Sequence, residues 1–182
     1  MPRRTLIQLY KDWRLWTQRR FNNSFIRKFT QKPLSRRLSI DEIALVRSVF
    51  GDSITLNNVQ LKSARWVLRG YAVSPNGNIY FHPEDWVVDF SSSTLGRQSW
   101  LIHELTHVWQ LQQGLNVILG ALLNRRYSYT LTTGKSFFKY GIEQQAQMVQ
   151  DYFIRRARGQ DCQALEDCIP FLNHIDLNRM VP

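Results

Sequence analysis

Residues 103–107 read His-Glu-Leu-Thr-His and fall inside a helical pattern. Positions i and i+4 of a helix lie one turn apart on the same face, about 5–6 Å between Cβ atoms. The imidazoles of His103 and His107 can therefore reach one Zn²⁺ together, at the roughly 2.0–2.1 Å such ligands need. Glu104, beside the first ligand, is placed to take a proton from water at the remaining coordination position, which makes it the candidate general base of a hydrolysis. The competing reading is an ordinary amphipathic helix whose histidines bond to carbonyls or water. It is disfavoured because the chain has only four histidines and two of them fall at this spacing.

A catalytic zinc takes three protein ligands and keeps one position open. Glu143 is the only glutamate between Glu104 and Glu166, and it opens a second helical pattern, YGIEQQAQMVQDYF. A glutamate from a second helix packed on the first would complete a His/His/Glu set, so Glu143 is the candidate third ligand. Its alternative role is to complement the helix dipole. Asp151, two turns further on, is a candidate acceptor for a ligand imidazole N–H. Gln110 continues the 103/107 face and is expected to bond within the site, whereas Trp109 points off that face toward the core.

Two long helices must present these groups. Apolar periodicity predicts one over about 97–119, through Leu101, Leu105, Val108, Leu111 and Leu115, and another over about 136–158, through Phe138, Ile142, Val149 and Phe153. Upstream the signals are β. The runs ITLNNVQL, ARWVLRGYAV and NIYFH are separated by turn residues, and SPNGN at 74–78 predicts an antiparallel pair of 65–73 with 79–82. A short helix, IDEIALVRSVF, is capped by Ser39 and ended by Gly51, and Tyr127, Tyr129 and Leu131 alternate as in a short strand. His82 ends a predicted strand, either bordering the cleft or facing solvent, and His174 is read as a surface residue. The expected fold is α+β: a small antiparallel sheet, an HExxH helix, then a second ligand-bearing helix.

HExxH with a downstream Glu-x-x-Ala (Glu143 to Ala146) resembles the gluzincin type of zinc metallopeptidase. VSPNGN, NIYFHP, the Asp89-Phe90 pair, IHELTHVWQ, YSYTL, GKSFxxY and EQQAxxVxDYF together resemble small Vgr-related metallopeptidases, bacterial proteins associated with type VI secretion spikes. The resemblance spans about 72–154 and implies a minimal zincin-like core binding Zn²⁺ through His103, His107 and Glu143, with Glu104 as base. Peptide-cleaving gluzincins usually supply a further His or Tyr to steady the oxyanion. No residue here is fixed for that by spacing; Tyr140, Tyr127 and Tyr129 are the candidates, and Tyr140 is assigned the role. The implied activity is zinc-dependent hydrolysis of an amide in a protein or a peptidoglycan peptide, with extended substrate along 79–82. The alternative is a non-catalytic, zinc-stabilised accessory that docks on a secretion spike or effector.

The 182 residues carry a formal charge of +10, with 24 basic and 14 acidic residues. Residues 1–39 hold eleven of the basic residues and only one acid, Asp12, so 40–182 is formally neutral. Two domains are expected: a basic aromatic arm at 1–39 and a zincin-like catalytic domain at 40–182. Leu6, Trp13, Trp16, Phe21 and Phe25 among the arm's arginines suit an anionic membrane surface, an acidic protein groove or the arm's own domain. Nucleic acid ranks last as a partner, because the remainder is neutral and shows no recognition motif. No run reaches the roughly 18 apolar residues of a membrane span, and the charged start interrupts any Sec-type apolar region. Synthesis in the cytoplasm is therefore expected, and the resemblance to type VI secretion-associated proteins implies that delivery by a secretion system is open to it. Cys162 and Cys168, at i and i+6, are expected to be free thiols if helical, or to bridge if the segment is a loop.

Overall fold

The computed structural model describes residues 34–123, with backbone only at 121–123, and residues 126–172. Arm residues 1–33 and His174 lie outside them. Among the described residues there are four strands, β1 (Ser35–Arg37), β2 (Gln60–Ser63), β3 (Ala72–Val73) and β4 (Ile79–Phe81). There are five α-helices, α1 (Ile40–Phe50), α2 (Leu95–Gln112), α3 (Val117–Leu123), α4 (Ile142–Ala157) and α5 (Gln163–Cys168). No described helix is long and apolar enough to cross a membrane.

The class is α+β, but the sheet is mixed rather than antiparallel, with strand order β1-β2-β4-β3. The turn at 74–78, with Gly77 at φ +79°, joins β3 to β4 antiparallel, Ala72 opposite Phe81 and Val73 opposite Tyr80. β4 then inserts between β3 and β2 and runs parallel to β2. Both edges of β4 are therefore occupied. The predicted strand 65–73 shrinks to its last two residues because Gly70 adopts φ +78°, a turn conformation, and donates its N–H to Asp85 Oδ2 at 2.6 Å.

Residues 34–39, read from the sequence as the end of the arm, belong to the sheet unit. β1 pairs antiparallel with β2, and Arg36 forks onto Glu42 at 2.6 and 2.7 Å. Glu42 is fully buried and also accepts the backbone N–H groups of Ser39 and Phe90, each at 2.8 Å. One carboxylate thus ties β1, the start of α1 and the loop entering α2. Ser39 completes the capping box by accepting from Glu42 N.

Helix α2 is the centre of the domain, and every residue from Leu101 to Gln110 is buried. Phe81 of β4 meets Phe90 and Trp100 on one side of it, and Trp109 packs against Phe137 and Phe171 on the other. The predicted helix 97–119 divides because Gly114, at φ +80°, closes α2 in the left-handed conformation and the Asn116 side chain caps α3. Likewise α4 begins at Ile142, not 136, since the chain extends through Tyr140 and Gly141 and Gln144 caps the Gly141 N–H. The expected strand near 127–131 does not form. Its backbone is held instead by side chains, with Gln144 donating to Ser128 O and Tyr140 bonding Thr130 O and Thr132 N. Cys162 and Cys168 are free.

Candidate metal centre

Helices α2 and α4 pack together and bring one face of each into a common buried point. His103 Nε2 and His107 Nε2 each lie 3.4 Å from the same oxygen of Glu143, Oε2. The three residues are buried and offer ligand atoms within 4.8 Å of one another, so the group could hold a metal ion.

The surrounding amides define how the imidazoles are presented. Gln110 Nε2 donates to Ile142 O and Gln145 Oε1, which turns Gln110 Oε1 toward His107 Nδ1 at 2.8 Å. Gln150 Nε2 donates to Ser99 Oγ and leaves its Oε1 on His103 Nδ1 at 3.0 Å. An amide oxygen facing Nδ1 requires the proton to sit there, so both Nε2 lone pairs point at the Glu143 oxygen. Three acceptors aimed at one point repel each other unless a proton or a metal ion sits between them. Two neutral imidazoles and one carboxylate form the donor set that borderline divalent ions such as zinc prefer.

Without a metal ion, the electrostatics favour a proton at this point. Burial, the largest influence on His107, opposes its charge, but the bond to Glu143 and the carboxylates of Glu104 and Glu143 outweigh it and raise the pKa above the usual histidine value. Burial also pushes the Glu143 carboxyl up, and its bonds to His103 and His107 more than reverse this, leaving it well below the usual carboxylate range. A proton on His107 therefore competes with a metal ion for the same contact. The raised folded-state pKa means that this proton stabilises the metal-free fold below the unfolded value of about 6.5 and is lost as pH rises through the folded value. Stabilisation by a saturating divalent ion, read as a melting-temperature shift, is accordingly expected to grow from about pH 5.5 to about pH 8. A shift independent of pH would contradict competition at His107.

Glu104 is buried beside these groups and accepts a hydrogen bond from Ser74 Oγ at 2.8 Å, from the turn between β3 and β4. His103, Glu104, His107 and Glu143 floor a cavity of about 320 Å³ whose wall includes Trp66, Val73, Pro75, Val117, Ile118 and Tyr127. A larger hollow of about 520 Å³ lies under residues 127–131. Its Asp151 accepts from Tyr129 Oη and Gln147 and so is not the acceptor expected for a ligand imidazole; Gln150, one residue earlier, is.

Tyr140 is placed away from the cluster, buried, with its hydroxyl committed to Thr130 and Thr132. Tyr127, another of the three candidates, lies on the cavity wall with its ring 5.9 Å from that of His103. Partial burial, then the carboxylates of Glu143 and Glu104, raises its pKa, which keeps the hydroxyl a donor. His82 caps a short 3-10 turn by accepting from Glu84 N and does not line the cavity. Sequence periodicity missed Ser74, Gln150, Trp66 and Ile118. Gln150 had a signal, since it follows Glu143 by two helical turns on the same face. The other three had none, because their neighbours are distant in the chain.

No family model matches the chain. The type VI secretion system spike protein VgrG2b of Pseudomonas aeruginosa is 45% identical over 133 residues, which cover 66% of this chain and 13% of that protein. The chain thus spans only a small fraction of that relative's length. The solved effector domain of Pseudomonas aeruginosa VgrG2b superposes with a TM-score of 0.64 at 41% identity, covering 72% of this chain and 80% of the domain. Identity at this level across most of a domain, with the same fold, has one reading: the chain belongs to the family of the VgrG2b effector domain.

Proposed function

We propose that the protein is a zinc-dependent hydrolase of amide bonds, acting as an effector linked to type VI secretion. The observation that carries this reading is the convergence of His103 Nε2, His107 Nε2 and Glu143 Oε2 on one buried point beside a second, separately held carboxylate, Glu104. His103, His107 and Glu143 would hold the ion. Bound there, zinc would supply Lewis acidity toward a carbonyl oxygen and make water a stronger acid.

The chain's own groups supply the remaining chemistry. Ser74 donates to one oxygen of Glu104, which restrains the carboxylate as it accepts the proton of the attacking water and passes it to the leaving nitrogen. Tyr127, on the cavity wall, donates its hydroxyl hydrogen to the oxygen that gains charge. Gln110 and Gln150 keep both ligand rings in one tautomer. The amide belongs to a protein or to a peptidoglycan peptide. Association with a secretion spike is supported by the relative's own description as a spike protein, and the basic residues of 1–39 suit a docking or anionic membrane contact.

Metal analysis of the purified full chain tests the site. Wild type is expected to carry about one zinc per chain, and Glu143→Ala or His103→Ala to lose most of it. Hydrolysis of an unfolded protein substrate should stop with chelator and return with zinc. Full metal content in Glu143→Ala would remove it from the ligand set, and zinc binding without any hydrolysis would favour a docking module stabilised by metal.

A further inference from the structure

We infer that the cleft takes an extended polypeptide of L-residues and selects a bulky uncharged side chain next to the scissile bond, in preference to the acidic stem peptides of peptidoglycan. This rests on the reading of the site as an amide hydrolase and names its substrate class.

Charge is the first observation. Apart from the four floor residues, His103, Glu104, His107 and Glu143, the cavity wall is uncharged, and no Lys or Arg lines it among the described residues. A free carboxylate entering there would lose its water without gaining a cationic partner from the wall. Stem peptides carry several such carboxylates. The wall also contains Trp66, 65% exposed, Ile118, 53% exposed, and Tyr127, 48% exposed, from three separate segments. Single exposed apolar side chains are ordinary. Three of them around one concave mouth form a surface that gains by covering.

Backbone geometry is the second observation. β3 is the terminal strand of the sheet, and Ala72 and Val73 line the cavity. Among the described residues nothing pairs with the strand's outer edge, so it offers backbone groups beside the candidate catalytic residues. Because β4 is paired on both edges, the sequence expectation that substrate lies along 79–82 gives way to β3. A polypeptide of L-residues can extend that edge with alternate side chains turned to opposite faces. The alternating D- and L-residues of a stem peptide break this alternation.

The apolar wall is also locked to the ligand-bearing helix. A methyl group at Gly120 would run into the Ile142 side chain, so α3 approaches the first turn of α4 closely, next to Glu143. That contact fixes α3, which carries Ile118, with respect to the floor.

Binding and turnover can be read separately in the zinc-loaded full chain. Fluorescence anisotropy with Glu104→Gln would compare labelled peptides differing only in one central residue, Leu or Phe against Asp, alongside a purified stem tetrapeptide. About 1 M salt, where the screening length is about 3 Å, suppresses attraction to the basic arm. The Leu and Phe peptides are expected to bind about 10- to 100-fold tighter than the Asp peptide. Ile118→Asp should erase most of that preference, with an unchanged circular dichroism spectrum. Equal or tighter binding of the Asp or stem peptide, or no binding of the apolar peptides, overturns the inference. Mass-spectrometric mapping of cleavage by the wild type supplies the second readout. Cleavage without an apolar preference would overturn this inference and leave the hydrolase reading intact, and selective binding without cleavage would do the reverse.

Discussion

Glu104→Gln is expected to lower turnover of any cleaved peptide by about 10²- to 10⁴-fold while metal content and melting temperature stay at wild-type values. The amide has the shape of the carboxylate, and its oxygen can still accept from Ser74 Oγ, so the local packing survives. Glu104 contributes no atom to the His103, His107 and Glu143 cluster, so the ligand set is intact. What disappears is a group able to accept a proton from water. The measurement is kcat and kcat/KM on one peptide, with zinc determined on the same sample. Turnover near the wild-type rate would remove Glu104 from the mechanism, and loss of zinc would instead show that it helps to hold the ion.

A second large effect lies away from the site. Glu42→Ala is expected to destabilise the fold by about 3–5 kcal/mol, the usual result of removing one partner of a buried ion pair. The lower part of that range is favoured because the Arg36 side chain retains 22% exposure and can partly rehydrate. The substitution also strips the backbone N–H groups of Ser39 and Phe90 of their acceptor. Domains of this size commonly have about 5–15 kcal/mol of total stability, so the loss is a substantial share. Urea unfolding followed by tryptophan fluorescence would measure it. A change below about 1 kcal/mol, the range of an exposed pair, would mean that Glu42 does not tie β1 to the helices as described.

Local patterns were legible wherever the cause was local. Ser39 and Gly51 bound α1 as their types predict, since capping depends on residues within one turn. The spacing of His103 and His107 on α2, and Glu143 at the start of α4, likewise follow from helix period and from the scarcity of glutamate. Boundaries failed where an apolar pattern ran across a glycine. Leu115 continues the α2 stripe, yet Gly114 ends the helix, because a left-handed C-terminal glycine satisfies the last carbonyls at little cost. The strand expected at 127–131 failed for a different reason: the alternation of Tyr127, Tyr129 and Leu131 is real, but its hydrogen-bonding partners are side chains of Tyr140 and Gln144.

The sequence by itself determined the chemistry on offer: two imidazoles one turn apart, a glutamate between them, a glutamate opening the next long helical pattern for a third ligand, and a basic end joined to a neutral remainder. Only the tertiary structure decided how that chemistry is arranged. It brings Glu143 Oε2 within 3.4 Å of both imidazoles, turns both rings with Gln110 and Gln150, holds Glu104 with Ser74, and exchanges Tyr140 for Tyr127 at the cavity. Helix periodicity is a property of neighbours in the chain and can be read from spacing. Which tyrosine faces the histidines depends on how α4 and the 127–131 segment pack against α2, and that packing joins residues whose separation in sequence carries no periodic signal.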